Sequence, residues 1–334
     1  MAPPARVRVA FLGFGAVNQA LHALLERRRG ALARDHGIEC VVTGVASRRI
    51  GWRASAAGLD PAHPHAAPDR GDVAAWLAAS RADVVFEAIA LDPYAGQPAL
   101  DYLRAALEHG AHAISANKGP VVHGYRELTR LAAERGRGYR FEAAVMDGAP
   151  VFSLVRDCLP LAGLRAVRGV FTSTATIVLE AVEEGLSIDD GIARAQRLGI
   201  AESDPSYDVD GWDSAVKLCA VGNVLLGGDL RPSDVEREGV RSLGADAVRR
   251  ASGEGRPYRL VGEVARGTSG VVSARVAPER CAPDGPLGVV RGATLVMHYD
   301  ADVFPGGLTV TSRDPDPTTT AYGMLADLVR VAGR

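Results

Sequence analysis

Cysteine is scarce in this sequence and nowhere arranged into a site. The four cysteines among 334 residues, Cys40, Cys158, Cys219 and Cys281, stand far apart. No Cys-x-x-Cys pair occurs and no histidine cluster completes a tetrahedral set, so a zinc centre is excluded and the four read as reduced, mostly buried thiols. An excess of one charge sign is missing too. Lys and Arg number 38 against 40 Asp and Glu, a formal net charge of -2. That balance leaves no electrostatic footprint for nucleic acid or for an anionic membrane surface, and a small neutral or zwitterionic molecule is the fitting partner. Long apolar runs are absent as well: nowhere do about 18 uncharged apolar residues follow one another. The opening MAPPARVRVAFLGFG lacks a charged region followed by a long apolar stretch. Neither a membrane span nor a secretory leader is read, and a cytoplasmic protein is expected. No internal repeat is found.

What the sequence does contain is enough apolar material, 47% of its residues, for more than one core. Its length exceeds the usual single domain of roughly 100–200 residues, so two domains are expected. The first half alternates short apolar runs with amphipathic stretches, the pattern of parallel strands joined by crossover helices. Strands are predicted at Val7–Leu12, Cys40–Ala46, Val84–Ala88, His112–Ala116 and Tyr139–Val145. Helices are predicted near Ala16–Arg34, Val73–Ala79, Ala99–His109 and Tyr125–Arg135, where apolar residues recur every three or four positions. Ser47–Arg70 reads as a loop or irregular crossover. The expected fold class is α/β, a Rossmann-type doubly wound parallel sheet over residues 1–148, with an α+β substrate and dimerisation domain over 149–317. That second domain runs through longer helices before β-rich segments near Tyr258–Arg266, Gly270–Val276, Thr294–Tyr299 and Leu308–Thr311. A helix within 318–334 is expected to pack back on the first domain.

The first chemical signal is Gly13-Phe-Gly15-Ala16-Val17-Asn18, directly after the first strand and opening the first helix. Gly13 permits a tight turn, Gly15 lets backbone approach a pyrophosphate, and the helix N-terminus favours the anion. Asn18 replaces the third glycine, so the fingerprint is imperfect. At the end of the second strand, where an NAD enzyme usually places an acid for the ribose, stand Ser47, Arg48 and Arg49. Two arginines in place of the acid favour a 2′-phosphate, hence NADP, with NAD possible. The plain alternative is an arginine pair in a solvated loop.

The second signal is a crowd of five carboxylates, Glu202, Asp204, Asp208, Asp210 and Asp213, followed by Lys217. A calcium loop fails because no glycine takes its sixth position and no glutamate its twelfth. A solvated acidic loop would explain the charges, but the stretch from Asp213 to Leu226 carries no charge beyond Asp213 and Lys217. Such a helix is buried, and its aspartate and lysine, four apart, share one face near its start. Ionisable groups are costly there unless paired, and function is the commonest reason to keep them. Lys118, in Ser115-Ala-Asn117-Lys118-Gly-Pro120, follows a strand whose carboxyl end should face the crevice; an ordinary loop lysine is the alternative. Val145-Met-Asp147-Gly148-Ala149-Pro150 is expected to form the hinge and one wall of the cleft.

These segments, together with Glu142–Pro150, Gly199–Lys217 and Thr319–Asp327, resemble homoserine dehydrogenase over nearly the whole chain, in a short form without an ACT domain. Threonine inhibition through such a domain is then not expected. The resemblance implies reversible NAD(P)-dependent interconversion of aspartate 4-semialdehyde and homoserine, on the route to threonine and methionine, by a homodimer. It places Lys217 and Lys118 as candidates for proton transfer, Asp213 beside the reacting oxygen, and Glu202 and Asp208 at the amino acid. Thr174 and Gly148 join the substrate side. The cofactor would meet Gly13, Gly15, Ala16, Val17, Ser47, Arg48, Arg49, Asn117 and Lys118. A monovalent cation, Na or K, would be held by Glu142, Val145, Asp147 and Ala149, mainly through backbone carbonyls. One departure stands out: Thr172-Ser-Thr174-Ala-Thr176 occupies the place of the family's Asn-[Gly/Ser]-Thr-Thr-Asn. A diverged oxidoreductase acting on another small amino- or hydroxy-aldehyde, or a catalytically weak NADP-binding protein, are the alternatives.

Overall fold

Side chains of the first strand alternate between two layers, and that alternation builds the first half of the molecule. The computed structural model describes residues 3–201 and 204–333, and the chain forms two compact units, 1–148 with 316–334 and 149–315. In the first unit β1 (Ala5–Leu12), β2 (Ile38–Ser47), β3 (Gly51–Ala54), β4 (Val84–Glu87), β5 (His112–Ser115) and β6 (Tyr139–Arg140) lie in the order β3-β2-β1-β4-β5-β6. All neighbours are parallel except β2 and β3. The helices are α1 (Ala16–His36), α2 (Val73–Ser80), α3 (Ala99–His109), α4 (Lys118–Glu134) and the short α5 (Ala143–Met146). Val7, Val9 and Phe11 of β1 join Leu21, Leu24 and Leu25 of α1 in one core. Ala10 and Leu12 join Trp76 and Leu77 of α2 in another on the opposite face. Where both faces are covered the strand must be apolar at every position, as it is over Val9–Leu12, whereas Arg6 and Arg8 alternate with Val7 and Val9 at its less covered start.

The second unit is a sheet with helices on one face. Its strands are β7 (Leu164–Val170), β8 (Glu236–Arg237), β9 (Tyr258–Arg266), β10 (Val272–Arg280), β11 (Leu295–Ala301) and β12 (Phe304–Ser312), ordered β12-β11-β7-β9-β10-β8. Pairing is antiparallel except between β8 and β10. Its helices are α6 (Ser173–Glu183), α7 (Ile188–Arg197), α8 (Ser206–Val209), α9 (Trp212–Leu225) and α10 (Ala245–Gly253). Helices α6 and α9 cover the sheet. Arg168 pairs across strands with Glu263 and Glu279. The last helix, α11 (Pro317–Ala332), lies in the first unit, with Ala321, Met324 and Leu328 in the core beside α1.

Three local expectations need correction. Only Tyr139–Arg140 of the stretch 139–145 is strand, because β6 pairs with β5 over two residues and the chain then coils into α5. An apolar run cannot by itself distinguish buried strand from buried helix. Residues 47–70 are not all loop, since β3 returns antiparallel to β2. Helix α4, predicted over Tyr125–Arg135, begins seven residues earlier, at Lys118. Asn117 caps that helix by accepting from Gly119 N–H, and Pro120 falls in the first turn, where no intrahelical donor is lost. Cys219 and Cys281 are buried, Cys40 is half-buried and Cys158 is exposed, all unbridged.

Candidate active site

A glycine is required at position 13 on two counts. Its φ of +78° lies in the left-handed region, and a Cβ there would stand 2.5 Å from the Ala88 carbonyl oxygen. Gly15 is different: it is exposed, nothing lies within 4 Å of where its Cβ would be, and it starts α1 without any side-chain cap. Space is thus open over a helix N-terminus whose first N–H groups point outward, an arrangement suited to phosphate. The fully buried Asn18 does not imitate the glycine it replaces. Its Nδ2 donates to the carbonyls of Leu12 at 3.2 Å and Gly13 at 2.6 Å, fastening the turn to the end of β1.

The turn borders a cleft of about 680 Å³, within the range of small-molecule sites. It lies past the carboxyl ends of β1 and β4, where the strand order reverses, the position expected of a ligand in an open α/β sheet. Gly13, Gly15, Ser47, Arg48, Arg49, Trp52 and the stretch 88–92 line it. Arg48 and Arg49 are exposed. The Ser47 hydroxyl accepts from Ile50 N–H at 3.1 Å and so shapes the turn carrying both arginines. Ala16 and Val17 are the first two residues of α1. These residues fit a dinucleotide.

A carboxylate that sequence reasoning passed over lies at the same edge of the sheet. Glu87 ends β4 fully buried, accepting from Ser115 Oγ at 2.5 Å, Ile89 N–H at 2.8 Å and Asn117 Nδ2 at 3.3 Å. Burial pushes its carboxyl above the usual range, against the pull of those three donors. Through Asn117 it ties the start of α4, and so Lys118, to the sheet. The signal was present in Val-Val-Phe-Glu, a lone charge closing an otherwise apolar strand.

In the second unit α9 brings the expected pair together. Lys217 Nζ is 2.8 Å from Asp213 Oδ2 and donates to the Phe171 carbonyl at 2.6 Å, with both side chains about nine-tenths buried. Asp213 sits in the first turn of its helix, where the dipole favours a negative charge. Thr174, 2% exposed in α6, donates from Oγ1 to Asp208 Oδ2 at 2.6 Å. Asp208 is thereby held by the segment Thr172–Thr176 in which this chain departs from the family pattern. Glu202 lies outside the described residues.

The proposed cation ligands do not form a side-chain set. The Glu142 carboxylate, 3% exposed, is 3.5 Å from Arg330 Nη1, and Asp147 accepts from Thr320 Oγ1 at 3.2 Å. Val145 lies inside α5. Ala149 begins the second unit. Among the described residues no group of three or more His, Cys, Asp or Glu could hold a metal ion, so a cation there would depend on backbone carbonyls. Gly148 is constrained sterically: at φ +86°, a Cβ would stand 2.2 Å from the Thr319 carbonyl oxygen. Burial pushes the Cys219 thiol up to about 12, which rules it out as a nucleophile near neutral pH.

A phosphate-binding turn in a Rossmann-type unit, with a second unit that buries a lysine against a carboxylate, has the make-up of a pyridine-nucleotide oxidoreductase. Family comparison agrees. The homoserine dehydrogenase model matches residues 150–329, and the model of the homoserine dehydrogenase NAD binding domain matches residues 13–142. An NAD(+)-dependent homoserine dehydrogenase of Pseudomonas canavaninivorans is 31% identical over 97% of this chain and 96% of its own length. The crystal structure of a homoserine dehydrogenase from Thiobacillus denitrificans has a TM-score of 0.85 at 26% identity, covering 98% of this chain and 73% of that one. A hyperthermophilic archaeal homoserine dehydrogenase mutant in complex with NADPH shares the fold, with a TM-score of 0.81 at 24% identity over 98% of both chains. The chain belongs to the homoserine dehydrogenase family, NAD(P)-dependent oxidoreductases acting on a CH–OH group. Among the described residues no helix is long and apolar enough to cross a membrane.

Proposed function

We propose that this protein interconverts L-homoserine and L-aspartate 4-semialdehyde with NADP as its preferred cofactor, and that Lys217 carries the proton. The observation that supports this reading best is the buried Lys217, held at 2.8 Å by Asp213 and at 2.6 Å by the Phe171 carbonyl. The nicotinamide, when bound, supplies or accepts the hydride at the substrate carbon. The remaining tasks fall to the chain. As the aldehyde gains hydride its oxygen gains negative charge, and a lysine ammonium stabilises and protonates it; in reverse the neutral amine takes the hydroxyl proton. Asp213 orients that lysine, and Lys118, fastened through Asn117, is the second candidate for the same task. Asp208 and Glu202 meet the substrate ammonium, selecting an amino acid over a simple aldehyde. Thr174 and Gly148 complete the substrate side. Gly13, Gly15, Ala16 and Val17 take the pyrophosphate, with Asn117 and Lys118 toward the nicotinamide end. Ser47, Arg48 and Arg49 take the adenosine end.

The two arginines beside the cleft favour the 2′-phosphate of NADP, while the relative from Pseudomonas canavaninivorans is named for NAD(+). A cytoplasmic homodimer serving threonine and methionine synthesis completes the proposal. The test is steady-state oxidation of homoserine with NADP and then NAD, beside reduction of aspartate semialdehyde against a panel of small aldehydes. Turnover of homoserine with a higher kcat/KM for NADP is expected. Preference for another aldehyde would move the substrate, with Thr172–Thr176 the first place to look.

A further inference from the structure

Asp208 and Asp213 stand at the two ends of one short segment, and that segment leans on an arginine from elsewhere in the unit. Helix α8 ends at Val209, Asp210 and Gly211 turn the chain at a Gly211 φ of +83°, and Trp212 opens α9. Arg237 lies across this turn. Its guanidinium carbon is 3.7 Å from the centroid of the Trp212 ring, and its Nη1 donates to the Asp210 carbonyl at 2.5 Å. Its stem passes so close to Gly211 that a Cβ there would stand 3.3 Å from Arg237 Cγ. Two neighbours of Arg237 press on the same turn. Arg241 is 3.6 Å from the Asp210 carboxylate, and Gly239 approaches until a Cβ would lie 2.6 Å from Asp210 Cα. The support is itself anchored, because β8 pairs with β10 through Val276 opposite Arg237, and Glu238 N–H donates to the Val276 carbonyl at 2.8 Å.

We infer that Arg237 is a positioning residue for the substrate site: laid on Trp212 and bonded to the Asp210 carbonyl, it sets where Asp208 and Asp213 stand. The inference rests on the reading of those two carboxylates as substrate-side groups. Arginine is needed because a planar guanidinium presents its face to an indole while its edge donates in plane; an ammonium cannot do both. The consequence reaches chemistry through geometry, since Asp213 holds Lys217, and misplacement of a reacting group by about 1 Å can cost on the order of 10² in rate.

The experiment compares wild type with Arg237→Lys, Trp212→Leu and the double variant, by steady-state kinetics, NADP binding, thermal melting and hydrogen exchange over residues 206–213. Arg237→Lys keeps the charge and loses the stack. It should raise the KM for homoserine about 10-fold and lower kcat several-fold, with NADP affinity changed by less than about 2-fold and Tm by no more than a few degrees. The double variant should be no worse than the poorer single one, because both substitutions remove the same contact. Amides of 206–213 should exchange faster. Wild-type kinetics and exchange in Arg237→Lys would overturn the inference. So would equal losses in homoserine KM and NADP affinity with a lowered Tm, the mark of general destabilisation. If wild type turns over no homoserine with either cofactor, the functional reading fails on its own, and exchange over 206–213 still decides whether Arg237 holds the turn.

Discussion

Thr174 and Asp208, 34 residues apart in sequence, meet through one 2.6 Å hydrogen bond between the start of α6 and α8. It is the point where the departing segment Thr172–Thr176 touches the acidic loop. A hydrogen bond to a charged group contributes about 1.5–3 kcal/mol. Thr174→Val keeps the shape and loses the donor, and should raise the KM for homoserine roughly 10-fold, whereas Thr174→Ser should stay near wild type. Steady-state kinetics on the three enzymes check this, and equal KM values in Thr174→Val and Thr174→Ser would show that the hydroxyl does nothing for Asp208.

Replacing Lys217 with Ala removes the proposed proton donor and leaves Asp213 buried without its closest cation. The expected fall in kcat is on the order of 10² or more. Loss of one partner of a buried pair also destabilises, by roughly 3–5 kcal/mol. NADP binding by the folded variant should be unchanged in a fluorescence titration. Wild-type turnover in Lys217→Ala would move the proton to Lys118.

Arg48→Ala and Arg49→Ala separate the two cofactors. Each arginine is exposed at the cleft, so a charge-assisted contact with a 2′-phosphate should be modest, about 1–2 kcal/mol, or roughly 5- to 30-fold in the KM for NADP. The KM for NAD, which lacks that phosphate, should move by less than about 3-fold. Equal changes for both cofactors would leave the pair as solvated loop residues.

Asp327 carries a stability effect that depends on pH. It is 1% exposed, accepts from Glu142 N–H at 2.9 Å, and burial and the nearby Glu142 raise its carboxyl to about 6. Raised above its unfolded value of 3.8, it binds more protons folded than unfolded between pH 4 and 6. Its contribution is therefore least favourable above pH 6 and improves as pH falls toward 4, by an amount on the order of 2–3 kcal/mol. Asp327→Asn keeps an oxygen acceptor for Glu142 N–H and removes the titration. Its urea midpoint relative to wild type should be higher at pH 7.5 than at pH 5. A difference that stays constant, or grows on acidification, contradicts the assignment.

Much of the fold was legible because period and punctuation agreed. Helix α3 runs over Ala99–His109, the residues its apolar spacing marks, ended by Gly110 in the left-handed conformation. The glycine turn after β1 and the burial of Asp213 and Lys217 were readable for similar reasons, the first from its place between strand and helix, the second from the absence of other charge around it. What escaped was decided by partners distant in sequence. Residues 143–146 are apolar whether they form strand or helix, and only the short pairing of β6 with β5 settles the matter. The start of α4 was hidden behind Gly119-Pro120, which look like breakers but fall in a first turn capped by Asn117. Arg237 gave no local sign, because an arginine in a polar stretch looks the same whether it lies on an indole or waves in solvent.

The return of α11 to the first unit bears on how the protein is made. Met324 and Leu328 belong to a helix packed on α1 and β5, yet they leave the ribosome only after all of 149–315 has been synthesised. Until α11 emerges, the apolar side chains of α1 that it covers in the finished unit lack that cover. A fragment cut at Gly148 would lack it for good and should clump, as exposed apolar patches do.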